Sequence, residues 1–572
     1  MATVEMKAMG NRKKIIPLVM ALGNKIINSI GLVEQIDANV KWDDTQWSIS
    51  PGKLIKALVL STFSDIRVPL TRLEDRLSGI DLCYLIGEEA ASSGINSFNV
   101  GRALERLGES GPDSIYETIA LTAMQTNKIP MERMHSDLTT VSFYGEYDID
   151  LDKMGLTDDE KEEILKIEHG YNKDGRPECK QAAVGQIVNE AGIPVASRAM
   201  DGAVSDAEWN KAAIEYFRQI QREGFSTGIY VADCKLVNNG LITDMMEGGN
   251  PVKFVSRCPA NFEEKLESRM IERAYAEGNW EDYGQLSGGV KAAGYKGVSF
   301  TETVCSYPMR LLVTESTNLA YKAESAIEKE KEKLMPLIRK LEKKTFACHA
   351  DAFAECTKFF NGRDAKLFCA ETRIEVATKE KWPRGRRKAG VTPVVEETYK
   401  IVVEKVNRDE EACKEFIHNE SSFVIISNVF DELNDKELLA TYKGQQIVEN
   451  SFRQLKHPQL ASVIYLKNPI RIKALTMVLS LALLIRAIIQ FMLRDGLRKF
   501  KEEHPNGKLY VGWSGRELVN PTYKLLYEHS FDCYFEREDY GKYSFAWPFV
   551  ESKERVGTLL WLMGLDVLDL IE

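Results

Sequence analysis

The stretch YKGQQIVENSFRQLKHP, Tyr442 to Pro458, sets one carboxylate among aromatic, amide and basic side chains at helical spacing. At about 100° per residue, Tyr442, Gln445, Glu449, Arg453 and Lys456 fall within roughly one quadrant of a helix, beside an apolar stripe of Val448, Phe452 and Leu455. The spacing predicts one helix that buries the stripe and holds Glu449 up to whatever lies next to it. Read alone, a Glu followed four residues later by an Arg is equally the pattern of a solvated, salt-bridged face.

Length and composition set the bounds around that stretch. A chain of 572 residues exceeds what one core organises, so three or more domains are expected. Hydrophobic residues make up 44% and charged residues 28%, the balance of a soluble globular protein. The 10 cysteines include no CxxC pair, which leaves neither a zinc pattern nor a secreted disulfide framework legible; reduced cytoplasmic thiols are the expectation. The apolar run in MATVEMKAMGNRKKIIPLVMALG is short, lacks a cleavage site and continues into helical pattern, so it reads as folded chain rather than a signal peptide. A net charge of −10 argues against a nucleic-acid partner, but binding responds to local potential. The basic clusters are Asn11 to Lys14, Lys379 to Lys388, and the series Arg453, Lys456, Lys467, Arg471 and Lys473.

In chain order, residues 1–128 carry apolar residues at three-and-four spacing broken by Gly, Pro and Asn, the pattern of a helical domain. RMHSDLTTVSFYGEY, from Arg133, reads as a strand bearing Asp137. An acidic segment, Asp148 to Glu168, precedes two more strands, KQAAVGQIVNE and IPVASRAMDG. AEWNKAAIEYFRQIQREG follows as an amphipathic helix, and GIYVADCKLV as a short strand whose end presents Asp233. The fold class expected is α/β: a mixed sheet with flanking helices, interrupted by an inserted α+β domain and preceded by the helical domain. Its divisions are 1–128, a core in two parts (129–260 and 436–498), an insertion (261–435) and a C-terminal interaction or dimerisation region (499–572).

A lone Asp on a strand is usually an edge charge or a cap. Asp137 and Asp233 interrupt runs that otherwise belong inside, where an ionised carboxylate is costly unless a cation or donor meets it. Converging with Glu449 they would repel one another, and a divalent metal is the usual remedy. Three acids without His suit Mg²⁺, with Mn²⁺ a substitute.

The wider interval contains LAYKAESAIEKEKEKLMPLIRKLEKK, helical with a kink expected at Pro336 and a charge pattern compatible with a coiled coil, then strand-like ETYKIVVEKV and FVIIS. ALTMVLSLALLIRAIIQFML, from Ala474, approaches the length of a membrane span. Arg486 and Gln490 lie inside it, so a buried helix is expected and no membrane partner.

Tyr442, two residues, Gln445, three residues, Glu449, six residues, Lys456 resembles the Tyr, Arg, Glu, Lys signature of bacterial insertion-sequence transposases, the insertion-sequence-four group of DDE enzymes. Gln445 stands where that signature has Arg, and an amide does not supply the charge a guanidinium offers phosphate. HSDLTTVSFYG and YVADCKLV resemble the first-Asp and second-Asp strands of the same enzymes. GYNKDGRPECKQ, through Arg176 and Lys180, resembles their basic hairpin, with Glu178 where Asp is commoner. KFVSRCP, PRGRRK, FVIISN and RIKALTMVLSLALLI follow in the order of the sixteen-thirty-four branch, so the resemblance runs over most of the chain.

The resemblance implies a ribonuclease-H-like catalytic core in which Asp137, Asp233 and Glu449 are both catalytic residues and ligands of two Mg²⁺ ions. It implies a bacterial, cytoplasmic, nucleoid-associated transposase that cleaves double-stranded DNA at the element's terminal inverted repeats and joins the 3′-hydroxyl ends to target DNA. DNA contacts are expected from Tyr442, Gln445, Arg453, Lys456, Arg176, Lys180, Arg384, Arg386 and Arg387. Trp280 and Trp382 are base-stacking candidates, the N-terminal domain binds DNA ends, the insertion is β-rich, and the enzyme works as a homodimer on DNA. The alternatives are a domesticated DNA-binding protein on the same scaffold and a metal-dependent endonuclease without strand transfer.

Overall fold

The computed structural model describes residues 14–571 apart from 64–68, 88–93, 148–156, 158–163, 226–227, 287, 289–291, 383–391, 458–465, 512–515, 539–541 and 548–549. Most of the expected acidic segment and the whole PRGRRK motif, with Arg384, Arg386 and Arg387, lie outside the described residues. The chain divides into two compact units: Met1–Leu236, Gly240–Phe254 and Lys443–Glu572 in the first, Val237–Asn239 and Val255–Tyr442 in the second.

The first unit opens on strand β1 (Ile15–Pro17) and helices α1 (Leu18–Ser29), α2 (Leu32–Asn39), α3 (Pro51–Ser61), α4 (Ser97–Glu109) and α5 (Pro112–Thr126). Helix starts follow local chemistry: Ser50 caps α3 ahead of Pro51, and the Asn96 side chain accepts from two backbone N–H groups of α4.

Strands β2 (Arg133–Phe143), β3 (Lys180–Asn189) and β4 (Pro194–Met200) then pair antiparallel. Helix α6 (Asp206–Arg222), begun by a capping box between Ser205 and Glu208, returns the chain to β5 (Ile229–Val231), parallel to β2. The strand order in this unit is β4-β3-β2-β5, a mixed sheet. One face is covered by α6, where the Trp209 Nε1–H donates to Ser136 Oγ at 2.9 Å and Tyr230 OH donates to Asn210 Oδ1 at 2.7 Å. Gly185 is required there, because a Cβ on it would lie 2.3 Å from the Trp209 ring.

The second unit holds β6 (Phe254–Arg257), α7 (Leu266–Glu277), β7 (Glu281–Gln285), β8 (Gly294–Val304), β9 (Tyr307–Ser316), α8 (Thr317–Glu342) and α9 (His349–Phe360). It continues with β10 (Phe368–Lys381), β11 (Val394–Arg408), α10 (Glu410–Ser421), β12 (Ser422–Ser427) and α11 (Asp435–Lys443). Its strands run β6-β12-β9-β8-β7, with β10 and β11 as a separate antiparallel ribbon. The unit is therefore as helical as it is β. Helix α8 runs on through Pro336. Its apolar stripe, Ile327, Leu334, Ile338 and Leu341, is buried in clusters with Phe368, Cys413 and Ile401 of the ribbon and α10. That stripe is occupied within the unit, so it does not present a coiled-coil seam.

The chain returns to the first unit with α12 (Gln446–Leu455), α13 (Pro469–Glu503), α14 (Tyr523–Ser530), β13 (Tyr534–Arg537), β14 (Tyr543–Ala546) and α15 (Val550–Leu562). Helix α13 is long and apolar enough to cross a membrane, and 94% of its most apolar window is buried inside the protein. Arg486 within it donates to the Thr62 carbonyl and lies against the rings of Phe63 and Tyr523. Residues after 499 pack back on the start of the chain: β1, β13 and β14 form one small sheet, and Lys25 Nζ donates to the Asp569 carbonyl at 2.7 Å. Gly496 brings α13 against the end of α15, where a Cβ would meet the Leu562 oxygen at 1.8 Å.

Candidate active site

The expected single helix from Tyr442 to Pro458 is two. Helix α11 ends at Lys443, a turn occupies Gly444 and Gln445, and α12 starts at Gln446. Gly is a poor helix former, and apolar periodicity carries across a turn of this length, which is why the pattern read as continuous. Tyr442 accordingly belongs to the end of α11, in the second unit, with its ring 6.3 Å from that of Phe423.

Helix α12 buries Val448 and Phe452 against Val188 of β3, and Leu455 is buried as well. Each such side chain contributes roughly 1.5–3 kcal/mol. Ser451 Oγ donates to Gln186 Oε1 at 2.8 Å, and Ser197 of β4 shares a 2.8 Å hydroxyl contact with Ser480 of α13. These helices therefore cover the sheet face opposite α6. Gln186 stands opposite Asp137 in the register of β2 and β3. Ser136 faces α6, so strand alternation directs Asp137 to the α12 side.

Asp137 and Asp233 are brought together by register. His135 of β2 pairs with Val231 of β5 in parallel, and each acid lies two residues further along its strand direction. Burial pushes the Asp137 carboxyl up to about 6, with Asp233 and Asp206 adding to the rise, while Lys173 and the Leu138 N–H oppose it. Burial also raises Asp233, whose carboxylate accepts from the Lys235 N–H at 3.0 Å. Glu449 is on the exposed side of α12. Among the described residues no group of three or more His, Cys, Asp or Glu side chains is gathered closely enough to hold a metal ion.

What stands among the acids is an ammonium. Lys173 Nζ donates to Asp206 Oδ1 at 2.7 Å and to the Leu138 carbonyl at 2.6 Å, and lies 3.7 Å from Asp137 Oδ1. Burial works against its charge, but Asp137, Asp206 and Asp233 outweigh that and raise its pKa. The turn carrying it is built by Asn172, whose Oδ1 accepts from the Asp174 and Arg176 N–H groups and whose Nδ2 donates to Ser142 Oγ at 3.0 Å. The two carboxylates and the carbonyl around it are oxygen donors of the kind a hard divalent cation takes, and the Lys173 ammonium holds them here. Neither Lys173 nor Asp206 was singled out from sequence. Lys173 lies inside the quoted hairpin motif, and Asp206 lies one residue ahead of the quoted helix.

Gln445 is not turned outward. Its Nε2 donates to the Ser136 carbonyl at 2.7 Å, and its side chain lies beside His135, which burial holds down to about 4. Lys456, at the end of α12, pairs with Asp174 at 2.6 Å. Arg453 is exposed and donates to Asn450 Oδ1 at 3.0 Å. Arg176 Nη1 donates to Tyr144 OH at 2.5 Å, and Lys180 donates to the Glu146 carbonyl.

In the second unit, Trp280 is half-buried, donates to the Ala274 carbonyl at 3.1 Å and has Lys296 Nζ 5.1 Å over its ring. One face of it is thus already taken. Trp382 is 37% exposed and follows β10 directly.

A family model described as a domain of unknown function, DUF4277, matches residues 15–121. No curated protein matches the chain. Among solved structures the chain is weakly similar to one titled "Cryo-EM structure of piggyBac transposase synaptic complex with hairpin DNA". The TM-score is 0.25 at 10% identity, over 51% of this chain and 60% of that one. The match therefore spans less than two thirds of that transposase chain.

Proposed function

We propose that the chain is a DDE transposase of the insertion-sequence-four group, with a ribonuclease-H-like core that cleaves double-stranded DNA at element ends and joins those ends to target DNA. One observation carries this reading: a half-buried carboxylate, Asp137, lies beside Asp233 at the end of the parallel neighbouring strand, while the helix bearing Glu449 is tied to the residue before Asp137. Strand order β4-β3-β2-β5, with α6 as the crossover, is the order such a core needs. The motif series named above supplies the family.

Asp137, Asp233 and Glu449 would hold the metal ions, with α12 moving to bring Glu449 in once DNA is seated. Two bound Mg²⁺ ions would supply activation of the attacking oxygen and stabilisation of the leaving oxygen. Lys456 and Arg453, on the helix bearing Glu449, would fix phosphate positions without reading bases. Gln445 would orient the helix rather than clamp phosphate. Homodimerisation on DNA and base stacking by Trp382 are part of the proposal.

The test is a gel assay with Mg²⁺ and duplex containing the terminal repeats that flank the gene, comparing the native protein with Asp137→Ala, Asp233→Ala and Glu449→Ala. Cleavage with joining, lost in all three variants, is the expected result. Cleavage without joining would indicate a nuclease, and retardation alone a DNA-binding protein.

A further inference from the structure

The turn from Asn172 to Arg176 places a positive charge where the proposed reaction needs a metal. Lys173 is an exposed residue whose main chain and ammonium are both held in place. Its backbone N–H donates to Thr140 Oγ1 at 3.0 Å, so the residue is docked on β2 at its own main chain. Its ammonium spends two of three protons on fixed acceptors, Asp206 Oδ1 and the Leu138 carbonyl, and sits at ion-pair distance from Asp137. The side chains of Lys173, Asp137 and Asp206 are 29%, 26% and 27% exposed, so solvent screens the cluster only in part.

We propose that Lys173 is a positioning residue of the acid pocket: its ammonium stands in for a divalent cation, holds Asp137 and Asp206 in place while no metal is bound, and must withdraw for the metal to enter. The inference rests on the transposase reading for the use made of the metal, but not for the exchange itself. The ammonium and an incoming metal ion cannot both take the same oxygens of Asp137 and Asp206. A unit charge about 4 Å away costs an incoming ion of the same sign several kcal/mol at an effective dielectric of about 20. Carboxylates left without either cation would repel one another, and the lysine removes that penalty. Asp206 enters the site by the same argument, as the acid to which Lys173 is hydrogen-bonded.

The experiment is calorimetric titration of the full chain with MnCl₂ and separately with MgCl₂, without DNA, on the native protein, Lys173→Gln, Lys173→Arg and the double variant Asp137→Asn with Lys173→Gln. Lys173→Gln is expected to bind Mn²⁺ at least roughly tenfold more tightly than the native protein, about 1.4 kcal/mol, because the competing charge is gone while a neutral polar side chain, one atom shorter, remains. Lys173→Arg keeps a charge that does not titrate away and should bind no more tightly than the native chain. The double variant should lose the gain.

Equal or weaker binding by Lys173→Gln overturns the inference, as does a gain that survives Asp137→Asn. Should Lys173→Gln fail to fold, Lys173→Arg decides: tighter Mn²⁺ binding by it than by the native protein is the overturning result, and equal or weaker binding the supporting one. Because no DNA is present, a gain by Lys173→Gln stands even where the native protein fails to cut end-containing duplex. Cutting without that gain removes this inference and leaves the transposase reading in place.

Discussion

Gln445 Nε2 donates to the main-chain oxygen of Ser136 at 2.7 Å, which ties the start of the helix bearing Glu449 to the strand residue next to Asp137. The sequence resemblance makes this position an Arg facing phosphate. Here the side chain points inward, next to an imidazole that is 1% exposed. Gln445→Arg therefore places a charge in a partly buried site, and we expect it to lower unfolding free energy by about 1–3 kcal/mol in urea titration. An unchanged midpoint with stronger DNA binding would mean the Arg turns out to solvent and that the tether is dispensable.

Asp137 gives stability a pH dependence of a definite sign. Its carboxyl titrates at about 6 in the folded chain against 3.8 ordinarily, so between those values the native state holds a proton that the unfolded state has released. Its contribution to stability is thus greatest at low pH, falls as pH rises from about 4 to about 6, and stays low above that. Asp137→Asn, which does not ionise, should be more stable than the native protein at pH 7.5 by at most about 3 kcal/mol, with the gap closing towards pH 4. Urea melts at the two pH values check this; a gap independent of pH would place the cause elsewhere.

Glu449 separates catalysis from folding. It is exposed on α12 and outside the apolar contact with Val188. Glu449→Ala should change stability by no more than about 0.5 kcal/mol while abolishing cleavage and sparing end binding. A large drop in melting temperature would show that the side chain supports the fold, and retained cleavage that another acid does the work.

Lys456 and Asp174 form a 2.6 Å ion pair with side chains 26% and 34% exposed. DNA phosphate would have to displace the carboxylate. Asp174→Asn should therefore strengthen binding to duplex, while Lys456→Ala should weaken it across sequences and reduce the salt slope by roughly one. Binding isotherms at several salt concentrations read both, and an unaltered slope in Lys456→Ala would remove that residue from the interface.

Arg486 is 5% exposed inside α13 and bonded to the Thr62 carbonyl. Arg486→Met keeps the volume but strips the donor from that carbonyl, and we expect a loss of about 1–3 kcal/mol in denaturant titration. No loss would show that the charge costs as much buried as it returns.

Local pattern alone determined the elements that carry the acids. Alternation and β-branching marked the strand of Asp137, a short apolar run ended at Asp233, and three-and-four spacing found the amphipathic face of Val448 and Phe452, because these signals need only a few neighbouring residues. Tertiary structure decided what the local pattern leaves open. A turn at Gly444 and Gln445 assigns Tyr442 and Glu449 to different helices, the Gln445 amide turns inward to a strand more than three hundred residues away, and Lys173 fills the space between Asp137 and Asp206. Each of these depends on which distant side chains share a buried space, and there the cost of an unpaired charge or donor, which is invisible in a linear chain, selects the partner.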